Sequence, residues 1–252
     1  MSRLLTAFAL FSLSACSFGP KLLRPDIDAV KKVAIIGFRG DVGLQNGQQQ
    51  QGGIGGTIAG AKALSDMKSG KMNDRRVAQA TQIHQLLSER LTTDLGWSMV
   101  PATGSDTLKE KVRQKPTGIM MFGVQHVGEL LLDPEVRFLS AADRQKVLGE
   151  LGADAVMTVN VQYRAGDRKG FSIGGLGTFK LYPSATVTVQ MWNATQEKPV
   201  WEDSFATGPI SSKFVTENAG VLEDQGETEA LVDAATLGIN ELIARYRSAP
   251  KT

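Results

Sequence analysis

The chain has a single cysteine, Cys16, in 252 residues. With no second thiol there is no intramolecular disulfide, so the fold must rest on burial and hydrogen bonding. Histidine is almost as scarce: His84 and His126 are the only two. Neither belongs to an H-E-x-x-H motif or stands beside clustered carboxylates, so the usual zinc signatures are missing and no metal or cofactor is expected. An excess of one charge is missing too. The 28 Lys and Arg residues nearly balance 26 Asp and Glu, without a block of either, which leaves no electrostatic footprint for nucleic acid. Beyond Cys16 no run reaches the ~18 consecutive apolar residues of a membrane-spanning helix. No internal repeat of solenoid type is present. What remains is a chain with 42% hydrophobic residues, enough for a packed core.

The N-terminus reads MSRLLTAFALFSLSAC. Arg3 supplies a positive start, Leu4 to Leu13 a short apolar run, and Ser14 and Ala15 a small-residue cleavage site, the layout of a secretory signal. The tetrad Leu13-Ser14-Ala15-Cys16 resembles the bacterial lipobox. The resemblance implies diacylation of the Cys16 sulfur, cleavage before it and acylation of the new amine. Ser17 rather than Asp in the next position implies export to the bacterial outer membrane. Two or three acyl chains, at roughly 0.8 kcal/mol per buried CH₂, form a stable anchor. The expected organisation is a signal peptide over 1–15, a lipidated tether over 16–30, one domain over 31–247, and a tail over 248–252. The domain carries glycine-rich insertions near 40–72 and 164–183.

Within the domain, KKVAIIGF (Lys31 to Phe38) reads as a buried strand. Val77, Ala80, His84, Leu87, Leu91 and Leu95 mark a helical stripe, with Asn73 or Asp74 as N-cap and Gly96 as the left-handed stop. WSMV (Trp97 to Val100) reads as a short strand, and Ser105 caps a brief helix ended by Pro116. Ser140 with Asp143 forms the start, and Gly152 the end, of a further helix. ADAVMTVNVQY alternates as a strand. SATVTVQMW and PVWEDSFAT form an antiparallel hairpin. Glu227 to Tyr246 is a terminal helix with a buried stripe of Leu231, Ala235, Gly238, Leu242 and Tyr246, and the small residues Ala234, Ala235 and Gly238 let it lie close to a sheet. The order predicts an α+β (α/β-like) fold, a mixed β-sheet with packed helices.

Three glycine patterns invite an enzyme assignment. VAIIGFRGDVG follows a strand, but Gly37, Gly40 and Gly43 miss the G-x-G-x-x-G spacing and no helix begins at once. QQQQGGIGGTIAGAKAL (Gln48 to Leu64) lacks the Lys-[Ser/Thr] of a phosphate-binding loop. It reads as a flexible loop leading into a short helix; its Gly52, Gly56 and Gly60 also recur at the spacing of close-packed helices, and Gly52, Ile54, Gly56, Ile58 and Gly60 are candidate partner-facing residues if that helix packs against another chain or the bilayer surface. GFSIG (Gly170 to Gly174) matches G-x-S-x-G, yet no helix follows and both histidines precede Ser172, against the order of a serine hydrolase. A hydrolase using Ser172 is the weaker alternative, beside a small-ligand-binding lipoprotein. The segment reads better as a glycine-turned hairpin with one apolar edge, on which Phe171, Ile173, Phe179 and Leu181 share parity; that edge either covers the core or faces a partner subunit or lipid, which makes the four residues candidate partner-facing positions.

KKVAIIGF, LGELGADAVMTVNVQY and VTVQMWNATQEKPVWEDSF, with Trp201 entering the core, are together similar to the CsgG-like class of envelope lipoproteins, which includes the curli secretion channel. The resemblance spans roughly Lys31 to Tyr246. It implies an anticodon-binding-like α/β domain and a non-enzymatic role in protein–protein assembly, secretion or surface-structure export. The implied partners are other envelope proteins, copies of the chain in a homo-oligomer, and membrane lipid through acylated Cys16. The channel of that class uses two long hairpins per subunit; here one short candidate, Asp167 to Pro183, is visible.

Overall fold

The computed structural model describes residues 20–42, 71–113, 139–164, 167–173, 176–211, 214–218, 221–222 and 224–250. In chain order the elements are β1 (Lys21–Leu22), α1 (Arg24–Asp28), β2 (Lys32–Val42), α2 (Lys71–Leu95), β3 (Ser98–Val100), a 3-10 turn (Ala102–Gly104), α3 (Asp106–Arg113) and α4 (Ala141–Leu151). They continue with β4 (Ala155–Arg164), β5 (Arg168–Ile173), β6 (Leu176–Leu181), β7 (Ser184–Trp192), β8 (Trp201–Ala206), β9 (Phe214–Asn218), β10 (Val221–Leu222) and α5 (Asp224–Ser248). The fold is α+β, built on a mixed six-stranded sheet in the order β1-β8-β7-β4-β2-β3. β2 runs parallel to β3 and β4, while β4, β7, β8 and β1 alternate in direction. A second sheet, β10-β9-β6-β5, is antiparallel throughout.

Both faces of the main sheet are covered. In β4 and β7, Met157, Val159, Val161, Val187, Val189 and Met191 point to the larger core, under α2 and α5. Residues of opposite parity, Ala34, Ile36, Val156 and Trp192, pack under α3 and α4 with Leu108, Val147 and Leu148. A β-bulge between Ile35 and Gly37 inserts one extra residue into β2. Its effect is to bring Phe38 opposite Val159 and onto the larger core. Without it Gly37 would occupy that position and the larger core would lose a ring.

Local chemistry explains the helix ends. Ser140 accepts a hydrogen bond from the Asp143 amide at 3.1 Å, and Gly152 closes α4 with φ of 64°. Gly96, with φ of 72°, ends α2 in the same way. Asn73 and Asp74 lie inside α2, which already includes Lys71, so neither caps it. Ser105 accepts from the Leu108 amide at 3.1 Å and donates to Glu150 of α4 at 2.5 Å. The Ser105 and Thr107 hydrogen bonds hold the Glu150 carboxyl below its ordinary range.

The expected tether is partly domain. Lys21 and Leu22 pair with Glu202 and Trp201 of β8, and α1 buries Ile27 completely. Arg24, only 6% exposed, donates to the Tyr246 and Ala249 carbonyls at the C-terminus of α5, both at 3.0 Å, and to Asp28 at 3.2 Å. Its guanidinium also lies 5.1 Å from the Tyr246 ring centre. An arginine's planar fork suits such a site, because it satisfies terminal helix carbonyls that lack intrahelical donors. Tyr246 stacks edgewise on Trp97 at 5.5 Å and tilts against Trp201 at 5.0 Å. Trp201 is fully buried, as its place in the sequence pattern leads one to expect.

α5 approaches β7 through Gly238. A Cβ there would meet Cγ2 of the fully buried Val187 at 2.7 Å. Gly238→Val is expected to destabilise the domain by about 2–3 kcal/mol, because overpacking adds to the poor helix propensity of a β-branched residue. Gly149→Ala in α4, where a Cβ meets nothing within 4 Å, is expected to stabilise by about 0.5–1 kcal/mol. Urea unfolding of the two variants checks the opposite signs.

Candidate functional site

The β5–β6 hairpin sits between β4 and β7 in sequence and leaves the main sheet. β6 continues the parity of β7, so Phe179 and Leu181 turn inward like Ala185 and Val187 and are 8% and 7% exposed. Leu181 packs on Ala230 of α5. β5 does not continue the parity of β4. Arg164 pairs with Ser184, but the next pair is Arg168 with Leu181. Between these two pairs the sequence has three residues after β4 and two before β7. Tyr182 closes the gap by donating its amide to the Asp167 carbonyl at 2.9 Å. The register of β5 on β6 is therefore offset by one from that of β4 on β7, which exchanges the faces of β5.

This corrects the expectation of a single apolar edge. Ile173 pairs with Leu176, Phe171 with Thr178 and Gly170 with Phe179. Paired residues share a face, so Phe171 and Ile173 lie with Leu176 on the outward side, 69%, 68% and 63% exposed. Phe179 and Leu181 lie on the opposite, buried side. Leu176 is the member that parity counting missed. Placing a two-residue Gly174–Gly175 turn first would have found it, because such a turn puts 173 directly against 176.

The inward side of β5 is made for contact with Phe179. A Cβ on Gly170 would meet the Thr178 carbonyl, and would lie 2.7 Å from the Phe179 Cα and 2.8 Å from its ring. The ring takes the space that a side chain would need, an aromatic covering a strand glycine. Gly170→Val is therefore expected to part β5 from β6 while leaving the two main clusters packed. Hydrogen exchange should quicken at the amides of 168–173 and remain slow in β4 and β7.

On the outward face the rung below Phe171 is Lys169 opposite Lys180. The Lys169 ammonium stands 5.2 Å from the Tyr182 ring centre. On its other side β6 pairs with β9, so β5 is the edge of the second sheet among the described strands. Cys16 and the glycine-spaced residues Gly52, Ile54, Gly56, Ile58 and Gly60 lie outside the described residues, as does His126.

Ser172 lies within β5, its backbone opposite Gly177. β6, not a helix, follows, whereas a nucleophile elbow stands at a strand-to-helix turn. Among the described residues no group of three or more His, Cys, Asp or Glu could hold a metal ion. No described helix is long and apolar enough to cross a membrane. Asp203, 3% exposed, pairs with Arg245 of α5 at 3.1 Å; burial pushes its carboxyl up while Arg245 and the Ser204 amide oppose the shift. That pair joins α5 to β8 and belongs to the core.

His84, half-buried on α2, meets the Phe38 ring edgewise at 5.8 Å. Burial lowers its pKa, because the imidazolium loses hydration. A depressed folded value means that the unfolded chain binds the proton more readily. His84 thus contributes stability above its unfolded value, about 6.5, and this is lost as pH falls through that value toward the folded one. His84→Phe is expected to flatten this part of the stability curve, measured by urea midpoints between neutral and mildly acidic pH.

Comparison with protein-family models and with curated proteins found no match.

Proposed function

We propose that this chain is a non-enzymatic, lipid-anchored protein of the bacterial envelope that works by docking to other envelope proteins. The observation that carries the reading is the β5–β6 hairpin, an edge strand with Phe171 and Ile173 turned outward. An edge strand presents backbone donors and acceptors to a strand of another chain. Exposed apolar side chains in a group, on a protein with a complete core elsewhere, mark a contact surface. The Leu13-Ser14-Ala15-Cys16 tetrad supports acylation and an outer-membrane position. Similarity to the CsgG-like class supports assembly, secretion or surface-structure export as the setting, with copies of the chain among the partners.

Two measurements test the proposal. Labelled palmitate is expected to enter the wild-type protein and not Cys16→Ser, and equal labelling of both rejects the anchor. A photo-crosslinking residue at position 169 is expected to yield discrete higher-mass adducts in intact envelopes. Monomer alone, at full expression and after efficient irradiation, rejects docking through the β5 edge.

A further inference from the structure

We propose that the domain meets its anchoring lipid surface with the end formed by β1, α1 and the C-terminus of α5, and carries the β5–β6 hairpin at the opposite end. The hairpin's partner is then a protein in the aqueous space beside the membrane, not one within the anchoring bilayer. This orientation rests on acylation of Cys16 and on docking through the hairpin as read above, and adds where the partner stands.

α5 sets the distance between the two ends. Leu222 of β10 pairs with Glu217, and Glu217 pairs with Gly177, the neighbour of Leu176 at the hairpin turn. α5 begins at Asp224, directly after that rung. The helix then tracks the chain back through the domain. Ala230 packs on Leu181, Gly238 faces Val187, and Tyr246 lies against Trp201. At its C-terminus the Tyr246 and Ala249 carbonyls accept from Arg24. From Asp224 to Tyr246, at ~1.5 Å per residue, the helix spans ~33 Å. The hairpin turn and the start of the domain therefore lie at opposite ends of one helix.

The tether is much shorter than that helix. Lys21 is paired with Glu202 of β8, and Cys16 stands five residues before it. An extended chain covers at most ~3.6 Å per residue, so Lys21 stays within ~18 Å of an acylated Cys16. Two poses would bring the hairpin to the same lipid. Tip first, burying the two apolar rungs takes up ~7 Å of strand and leaves Lys21 roughly 25 Å from the surface, beyond the tether's reach. Face down, α3 and α4 intervene. β6 continues the parity of β7, so the outward face of the hairpin lies on the side of the sheet that α3 and α4 cover. Those helices stand a helix diameter, ~10 Å, above that side and meet a flat surface before Phe171, Ile173 and Leu176 do. The anchored end is better suited to lipid. Leu23 is exposed there, and its amide donates to the Val200 carbonyl at 2.9 Å, which brings exposed Lys198 near it. Exposed Arg247 follows Tyr246. The long stems of Lys198 and Arg247 can lie in the interfacial layer with their charges in water.

The test uses the full acylated chain in phosphatidylcholine–phosphatidylglycerol vesicles. Acylation consumes the Cys16 thiol, and the chain has no other cysteine, so an introduced surface cysteine takes a fluorophore alone. Ile173→Cys reports the hairpin and Lys198→Cys the anchored end; both side chains are exposed, and circular dichroism checks the fold. With acceptor dye on the lipid headgroups, energy transfer is expected to be strong from position 198 and several-fold weaker from 173. Phe171→Cys and Arg247→Cys repeat the comparison and are expected to give the same order. Equal transfer from the two ends, or stronger transfer from 173, in protein that floats with the vesicles overturns the orientation and leaves the anchor standing. Protein that does not float overturns the anchor and the orientation with it. Crosslinking from position 169 reads docking independently of both, so its failure is separately visible.

Discussion

The ladder between β4 and β7 places nearly everything else. It runs unbroken from Val156 with Trp192 to Arg164 with Ser184. β2 adds to one side in parallel and β8 to the other antiparallel, so both inherit its inward and outward faces. A one-residue slip in this ladder would turn Met157, Val159, Val161, Val187, Val189 and Met191 away from α2 and α5 together. Full burial on one face is therefore what holds the register. The close approach at Gly238 is possible only because Val187 points at that turn of α5. At the far end the same ladder hands the chain to the hairpin, where the pairing passes from Arg164 with Ser184 to Arg168 with Leu181 and the shared parity ends.

The two chain ends are fastened to this frame by one another. Arg24 brings its charge to the last turn of α5, where two carbonyls and the helix dipole favour a cation. Tyr246 then carries the contact inward to Trp97 and Trp201. β1 extends the sheet beyond β8, and Lys21 reaches Glu202 at 3.1 Å on the exposed rim, a pair that contributes little. The buried arginine and the aromatic trio matter more, because removing Arg24 would leave desolvated carbonyls without donors. Charge at the start of the domain and apolar bulk at its end thus act as one clamp.

Elements that bury one face or carry a cap are legible in the chain. The alternation in β4 and β7, Ser140 and Gly152 around α4, the small-residue stripe of α5 and the burial of Trp201 follow from local pattern. The failures have common causes. Val33 to Ile36 are buried on both sides of the sheet, so a continuous apolar run gives no parity from which to read the bulge. Arg24-Pro25-Asp26 has the composition of a linker, and only the distant carbonyls of Tyr246 and Ala249 make Arg24 a core residue. The apolar edge assigned to Phe171, Ile173, Phe179 and Leu181 assumed one parity across a turn that exchanges it. Local alternation is readable within a strand, but its phase between strands is set by turns and bulges that composition does not mark.

That exchange of phase separates two tasks within one hairpin. Phe179 and Leu181, with the space left by Gly170, attach it to the domain through its inward side. Phe171, Ile173 and Leu176 are then released from any part in the core. A surface whose side chains do not hold the fold together can meet water, lipid or another chain without loss of native structure. It can also vary in chemistry at little cost in folding. The hairpin is best understood as an anchored inward face and an outward face whose energetics are completed by contact.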